Sequence, residues 1–525
     1  MNLYSLQFVL FLVASLAAYY VVGRVAGKWQ WVVLLVASMG FYLATGWQNL
    51  FFILFTAATT FAVGLAFGRL DGQAKQLRAA AESRDQKKAI KAQFKRKKWL
   101  VLLAALVTNF GVLGYLKYWN TLLGFLGAQD TFLASKLLLP LGISFYTFQS
   151  IGYVIDCYNG KFEPERNFAR YLLFVSFFPQ LIQGPIGRFD DLAHQLYERH
   201  RPDPQGMRRG LLLIAYGVFK KYAIADVLIG TISASLDTLD ASTSGSVVAL
   251  GILLYTVQQY GDLSGGIDMV RGVAKLFGIT MARNFNQPYF SVSLADFWRR
   301  WHMTLGAWMR DYVFYPLAVH PTFLKLNTWG TKHLGKTVGR TLSACVGNFI
   351  VFLLVGLWHG AEVHYILWGL YNGLVIAASD MLRPAFERLS AACKVNVESR
   401  GYHVFAILRT FLLVNIGRYF DRLTDAGDLA TGFANTLFNF DLAHFGTWFS
   451  IHEVSHMPEC LISAAIGCAV VFVVSFRRER GTDVVSHWLS VNFVLRVVAY
   501  VACGYLVLSS FFLAESGGGF LYANF

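Results

Sequence analysis

The 525-residue chain is poor in charge. Asp, Glu, Lys and Arg make up 15% of it, against about 25% in ordinary soluble domains. Cysteine is sparse as well. The six cysteines (157, 345, 393, 460, 468 and 503) are scattered and form no CxxC pair, which argues against both a zinc site and a disulfide framework. No GxGxxG follows a strand-like run, so a dinucleotide cradle of that type is excluded. Neither Gly261-Asp262-Leu263-Ser264-Gly265 nor Gly142-Ile143-Ser144 makes a G-x-S-x-G nucleophile elbow. No internal repeat is visible, so the inverted repeat of many transporters is missing. The first apolar run lacks a basic leader and an A-x-A exit, so it reads as a retained helix.

What is present is apolar. Hydrophobic residues reach 55% and aromatic residues 16%, a composition suited to two water–lipid interfaces. Thirteen apolar stretches, from residues 5–22 to 491–513, are candidate spans. They predict an all-α polytopic membrane protein with about 11 to 13 spanning or half-spanning helices. The formal net charge of +15 falls mainly between these stretches. Topology-setting loops explain it better than nucleic acid does, and the lipid bilayer is the expected partner.

Three regions follow. Residues 1–136 hold the first spans and a basic segment, 69–98, with eleven Lys and Arg against three Asp and Glu. Basic loops stay inside, which places the N-terminus outside and 69–98 in the cytoplasm. That segment reads as a surface helix near anionic headgroups, or as a solvated hairpin. Residues 137–380 are interrupted by Gly, Pro, Asn, Gln and charge. Broken polar segments at membrane depth need protein cover or a wet cavity, so a solvated interior is expected here. Residues 381–525 return to ordinary spans, with a longer loop at 421–459.

Two histidines stand out. His359 ends the apolar run TLSACVGNFIVFLLVGLWHG, and His302 sits in FWRRWHMTLGAWMRDY. Imidazole is costly in hydrocarbon and titrates near neutrality, so each is a candidate proton carrier. Read as one helix, 296–315 starts with Asp296 as cap or first-turn acid. It puts Trp298, Trp301, His302, Leu305, Trp308 and Met309 on one face and turns Arg299, Arg300 and Arg310 away, toward headgroups or an anionic ligand. The bland reading is an interfacial helix with His302 merely buried. Beside His359, Trp358 offers an apolar wall. A neutral histidine in a dry pocket can take a hydroxyl proton during attack on a thioester carbonyl. Glu362 and His364 do not complete a metal site with it, because an i, i+5 pair does not share a helical face. Asp262 and Asp268 are candidate intramembrane acids, and pairing with a nearby arginine is the bland reading. A transporter or flippase of a lipid-linked glycan is the alternative, using the same polar centre as a pathway. A scaffold that recruits partners through 69–98 gives no reason for two buried histidines.

The segments PLGISFYTFQSIGYVIDCY, FFPQLIQGPIGRF, NFNQPYFSVSLADFWRRWHMTLGAWMRDYVFYPL and LLVGLWHGAEVHYILWGLYNG, in this order, resemble the membrane-bound O-acyltransferase family. The likeness is strongest to its bacterial branch of alginate O-acetylation and teichoic-acid D-alanyl transfer proteins, and runs from about residue 140 to 373. It implies a ring of tilted helices around a thin, funnel-shaped centre in the cytoplasmic membrane. It makes His359 and His302 the catalytic candidates. Trp298, Trp301, Arg299, Arg300, Asn286, Trp358, Asp268, Pro185 and Gln183 are the candidate substrate-binding residues. No bound cofactor and no metal are expected. The co-substrate would be an acyl thioester, of coenzyme A or an acyl carrier protein, on the cytoplasmic side. The acceptor hydroxyl would lie outside, on a polysaccharide or an acyl-relay protein.

Overall fold

The computed structural model describes residues 3, 5–127, 139–443 and 456–514. Among them every regular element is helical, and the only paired extended backbone is an isolated bridge between Phe285 and Trp301. Six helices are long and apolar enough to cross a bilayer: Leu6–Val25, Trp47–Ala80, Arg84–Phe125, Val338–His359, Met457–Glu479 and Phe493–Leu513. The bent pair Val363–Met381 and Arg383–Ala392 makes a seventh if it counts as one span. The chain is an all-α, multi-pass membrane protein. The other apolar stretches are helical too, but shorter, as in Ile143–Tyr158, or more polar, as in Gly245–Leu276.

The chain divides into two compact units. The first comprises Met1–Leu211 and Val270–Ala282. Its core is largely aromatic. Phe8 meets Phe41 edge-on at 6.3 Å, and Phe178 meets Phe277 at 5.9 Å. Two of the polar residues that interrupt its apolar runs are bonded to each other. Gln149 donates to the Phe174 carbonyl at 2.7 Å and accepts from Gln180 at 2.6 Å.

The basic segment is not a separate surface helix. Ser83 and Gln86 form a capping box that starts Arg84–Phe125. This helix and Trp47–Ala80 both run unbroken between basic and apolar sequence. Forty-two residues span about 60 Å at 1.5 Å each, roughly twice the hydrocarbon thickness. The basic residues therefore extend two spans as a helical hairpin. Lys98 ties the arms together through Asp71 at 2.9 Å. Good helix formers continue past the lipid-length portion, and nothing in the sequence stops them.

The second unit comprises Leu212–Met269 and Arg283–Phe525. One apolar cluster gathers Leu228, Ile232, Val248 and Ile252 with Tyr419, Leu423 and Ala464. Beside it lies a buried charge network. Lys221, in a π-turn at Lys221–Ala225, meets Asp262 at 2.5 Å and Asp226 at 2.9 Å. Lys220 meets Asp268 at 2.8 Å and Ser264 at 2.9 Å. The two candidate intramembrane acids thus pair with lysine.

The helices Lys336–His359 and Val363–Met381 pack closely because two glycines let their backbones approach. A Cβ on Gly356 would strike the Tyr365 carbonyl, and one on Gly369 the Phe352 carbonyl. The expected loop 421–459 contains a helix, Ala426–Phe438, capped by Asp425. Residues 444–455 of that loop lie outside the described residues.

Candidate active site

The expected single helix over 296–315 is broken in two. Ser293 caps Leu294–Arg300, whose first turn holds Asp296. Met303–Met309 follows, and Arg310–Phe314 is a π-turn. Between the first two helices Trp301 is extended and His302 adopts φ 46, ψ 52. The apolar spacing carries no hint of this break, because a neighbouring segment imposes it. The Asn286 N–H donates to the Arg300 carbonyl, and the Met303 N–H to the Asn284 carbonyl, both at 2.9 Å. The Asn284 side chain then caps the second helix, accepting from the Thr304 N–H and hydroxyl at 2.9 and 2.8 Å. A left-handed, non-glycine residue costs roughly 1 kcal/mol or more, and such strain gathers at functional sites.

His302 is 4% exposed. Its ring meets Trp358 edge-on at 6.2 Å, and Trp358 meets His359 at 4.9 Å. One tryptophan therefore touches both imidazoles. His359 is the last residue of its helix and is half-buried. Its ring stacks on Tyr365 at 5.7 Å and stands against Trp368 at 5.4 Å. Trp298 holds the next side: it donates from Nε1 to Asn372 at 2.9 Å and crosses Trp368 at 5.2 Å. Asn372 in turn donates to the Trp368 carbonyl at 2.9 Å.

These residues enclose a cavity of about 70 Å³, lined by Trp298, Trp301, His302, Leu305, Met309, Phe352, His359 and Trp368 on its apolar side. Gln259, Arg418 and Asp421 form a polar patch in the same wall. Arg418 donates from Nη1 to Asp421 Oδ2 at 2.9 Å, and Gln259 donates to the same oxygen at 2.7 Å. The guanidinium lies over the Trp301 ring at 4.9 Å.

Of the candidate residues, Trp298, Trp301, His302 and His359 line this cavity, and Trp358 backs both histidines. The others do not line it. Arg299 is exposed and lies 3.4 Å from Asp296. Arg300 is engaged by Asp296 at 3.2 Å and by Glu479 at 2.9 Å. Asn286 contributes the backbone bond already described. Asp268 belongs to the lysine network. Gln183 and Pro185 are buried in the first unit. His364 faces the Phe420 carbonyl at 3.1 Å, and among the described residues no cluster of three metal-ligating side chains occurs.

Gln259, Arg418 and Asp421 were not singled out in the sequence. The available signal was an Arg and an Asp three apart, after Asn415, at the end of an apolar run.

The profile of the membrane-bound O-acyltransferase family matches residues 165–396, a stretch that holds both histidines. The probable alginate O-acetylase AlgI of Pseudomonas aeruginosa is 34% identical, over 84% of this chain and 74% of that protein. The peptidoglycan O-acetyltransferase of Helicobacter pylori is 33% identical over 53% of this chain and 54% of its own length. The teichoic acid D-alanyltransferase of Bacillus subtilis is 30% identical over 54% and 69% respectively.

Proposed function

The chain belongs to the membrane-bound O-acyltransferase family, and from that premise we propose that it moves an acetyl group from a thioester to a hydroxyl of a cell-envelope polysaccharide or of a protein that relays the group. The donor is a coenzyme A or carrier-protein thioester reaching the pocket from the cytoplasm, and no cofactor is bound. The acceptor arrives from outside. The protein sits in the cytoplasmic membrane with its N-terminus outside, as the basic residues between its spans favour.

His359 acts as general base. It takes the acceptor's proton as the oxygen attacks the thioester carbonyl, then returns it to the departing sulfur. His302 positions a substrate or shares that proton, and Trp298, Trp301 and Trp358 keep the site dry. The observation that carries this reading is the pair of imidazoles held on one tryptophan at a small, mostly apolar cavity. The cavity is small, about 70 Å³, which suits a short acyl group.

Mass spectrometry of envelope polysaccharide tests the proposal. A strain carrying His359→Ala at wild-type membrane abundance should lose its O-acetyl groups. Unchanged O-acetylation would remove His359 from the chemistry.

A further inference from the structure

We propose that Arg418 stabilises the oxyanion that forms on the carbonyl oxygen of the acyl group, an assignment that rests on the acyl-transfer reading above. Arg418 is 3% exposed and lines the cavity together with both histidines. Its Nη1 is committed to Asp421, which Gln259 also holds. Its plane is fixed over Trp301 at 4.9 Å. Tyr289, whose hydroxyl donates to the Thr256 carbonyl at 2.9 Å, flanks the guanidinium.

Nε and Nη2 remain; neither makes a well-formed hydrogen bond among the described residues, and the Tyr289 hydroxyl, already donating to Thr256, is the nearest polar group to them. These two N–H groups form one edge of the planar guanidinium fork, the edge that grips oxygen ligands. Burying such donors unmet is costly. Their presence in the wall of the pocket that holds both histidines is explained by an oxygen that arrives with the substrate.

The charge balance selects which oxygen. Arg418 and Asp421 together are neutral, so the pair offers little net attraction to a carboxylate in the ground state. A carbonyl oxygen that becomes negative during the reaction gains from the guanidinium edge as its charge grows. This is the differential binding that accelerates a chemical step. As the acceptor oxygen bonds to the carbonyl carbon, the carbonyl π-pair moves onto the oxygen at Arg418, and the acceptor proton passes to His359. When that pair returns, the carbon–sulfur bond breaks and the thiolate takes the proton from the imidazolium. The products are an ester and a thiol, and Arg418 stays protonated throughout.

The test uses the full chain in lipid nanodiscs, with acetyl-coenzyme A as donor and a hexose oligosaccharide as acceptor. Arg418→Lys keeps the charge and loses the edge. The paired change Arg418→Gln with Asp421→Asn removes both charges at matched size, and if it does not assemble, Arg418→Lys carries the test alone. We expect kcat to fall about 100-fold or more, as when an oxyanion donor is removed. KM for the donor should stay within about threefold, because the contact forms in the transition state. A raised KM with unchanged kcat would make Arg418 a ground-state anchor and overturn the proposal, as would unchanged turnover. His359→Ala, measured alongside, separates the two claims. Wild-type turnover in His359→Ala removes the parent reading. Wild-type kcat in the Arg418 variants beside an inactive His359→Ala removes the oxyanion role alone.

Discussion

Two sets of buried charges in the second unit invite comparison. Around Lys220 and Lys221, two ammonium groups face three carboxylates and a serine, and the ion pairs lie at 2.5 to 2.9 Å. Around Arg418, one guanidinium faces one carboxylate and keeps two donors over. Both sets are deep, yet only the second borders the cavity. A network whose cations are each held by carboxylates fixes helices in place, whereas a pair with spare donors is prepared for something that comes and goes. Burial alone does not separate the two sets; donors left over at the wall of a cavity do.

The strongest way to break the comparison is Lys221→Met. It leaves Asp226 and Asp262 without their shared cation and should cost about 3–5 kcal/mol, seen as loss of folded protein from the membrane. Normal abundance and melting would show that the network is not structural. Trp298→Phe comes next. It strips the Asn372 oxygen of its donor and should lower stability by about 1–2 kcal/mol in thermal melting, with Asn372→Leu in the same background recovering part of the loss. Arg418→Lys keeps a cation beside Asp421 and should shift stability by about 1 kcal/mol or less, so activity lost at near-native melting separates it from Lys221. Lys98→Ala removes a pair on the basic hairpin whose Asp71 is 54% exposed. A change of only a few tenths of a kcal/mol is expected, fading further in salt. A larger effect would show that the Lys98 side chain, 12% exposed, carries structural weight beyond the ion pair.

The sequence made some of this legible and hid the rest for physical reasons. Membrane class came from long apolar runs, and both histidines came from the cost of imidazole in lipid. The break at His302 was hidden because Trp298, Trp301, Leu305 and Met309 keep a helical spacing through it. The cause is Asn284, eighteen residues upstream of His302, which caps a helix that sequence periodicity merges with its neighbour. Arg418 and Asp421 were hidden because a charged residue at the end of an apolar run usually sets topology, and only packing shows it turned inward. The basic hairpin was half legible. Ser83 and Gln86 spell a capping box, but not how far past the lipid the helix continues. Asp262 and Asp268 were visible as buried acids, while their partners lie more than forty residues away in the chain.

The central claim is that His359 takes the acceptor's proton during acyl transfer. Initial rates of acetyl transfer by wild type and His359→Ala, reconstituted in nanodiscs at equal folded concentration, test it most directly. The account predicts a fall of about 100-fold or more in the variant with melting near that of wild type. A variant that transfers acetyl at the wild-type rate would contradict it.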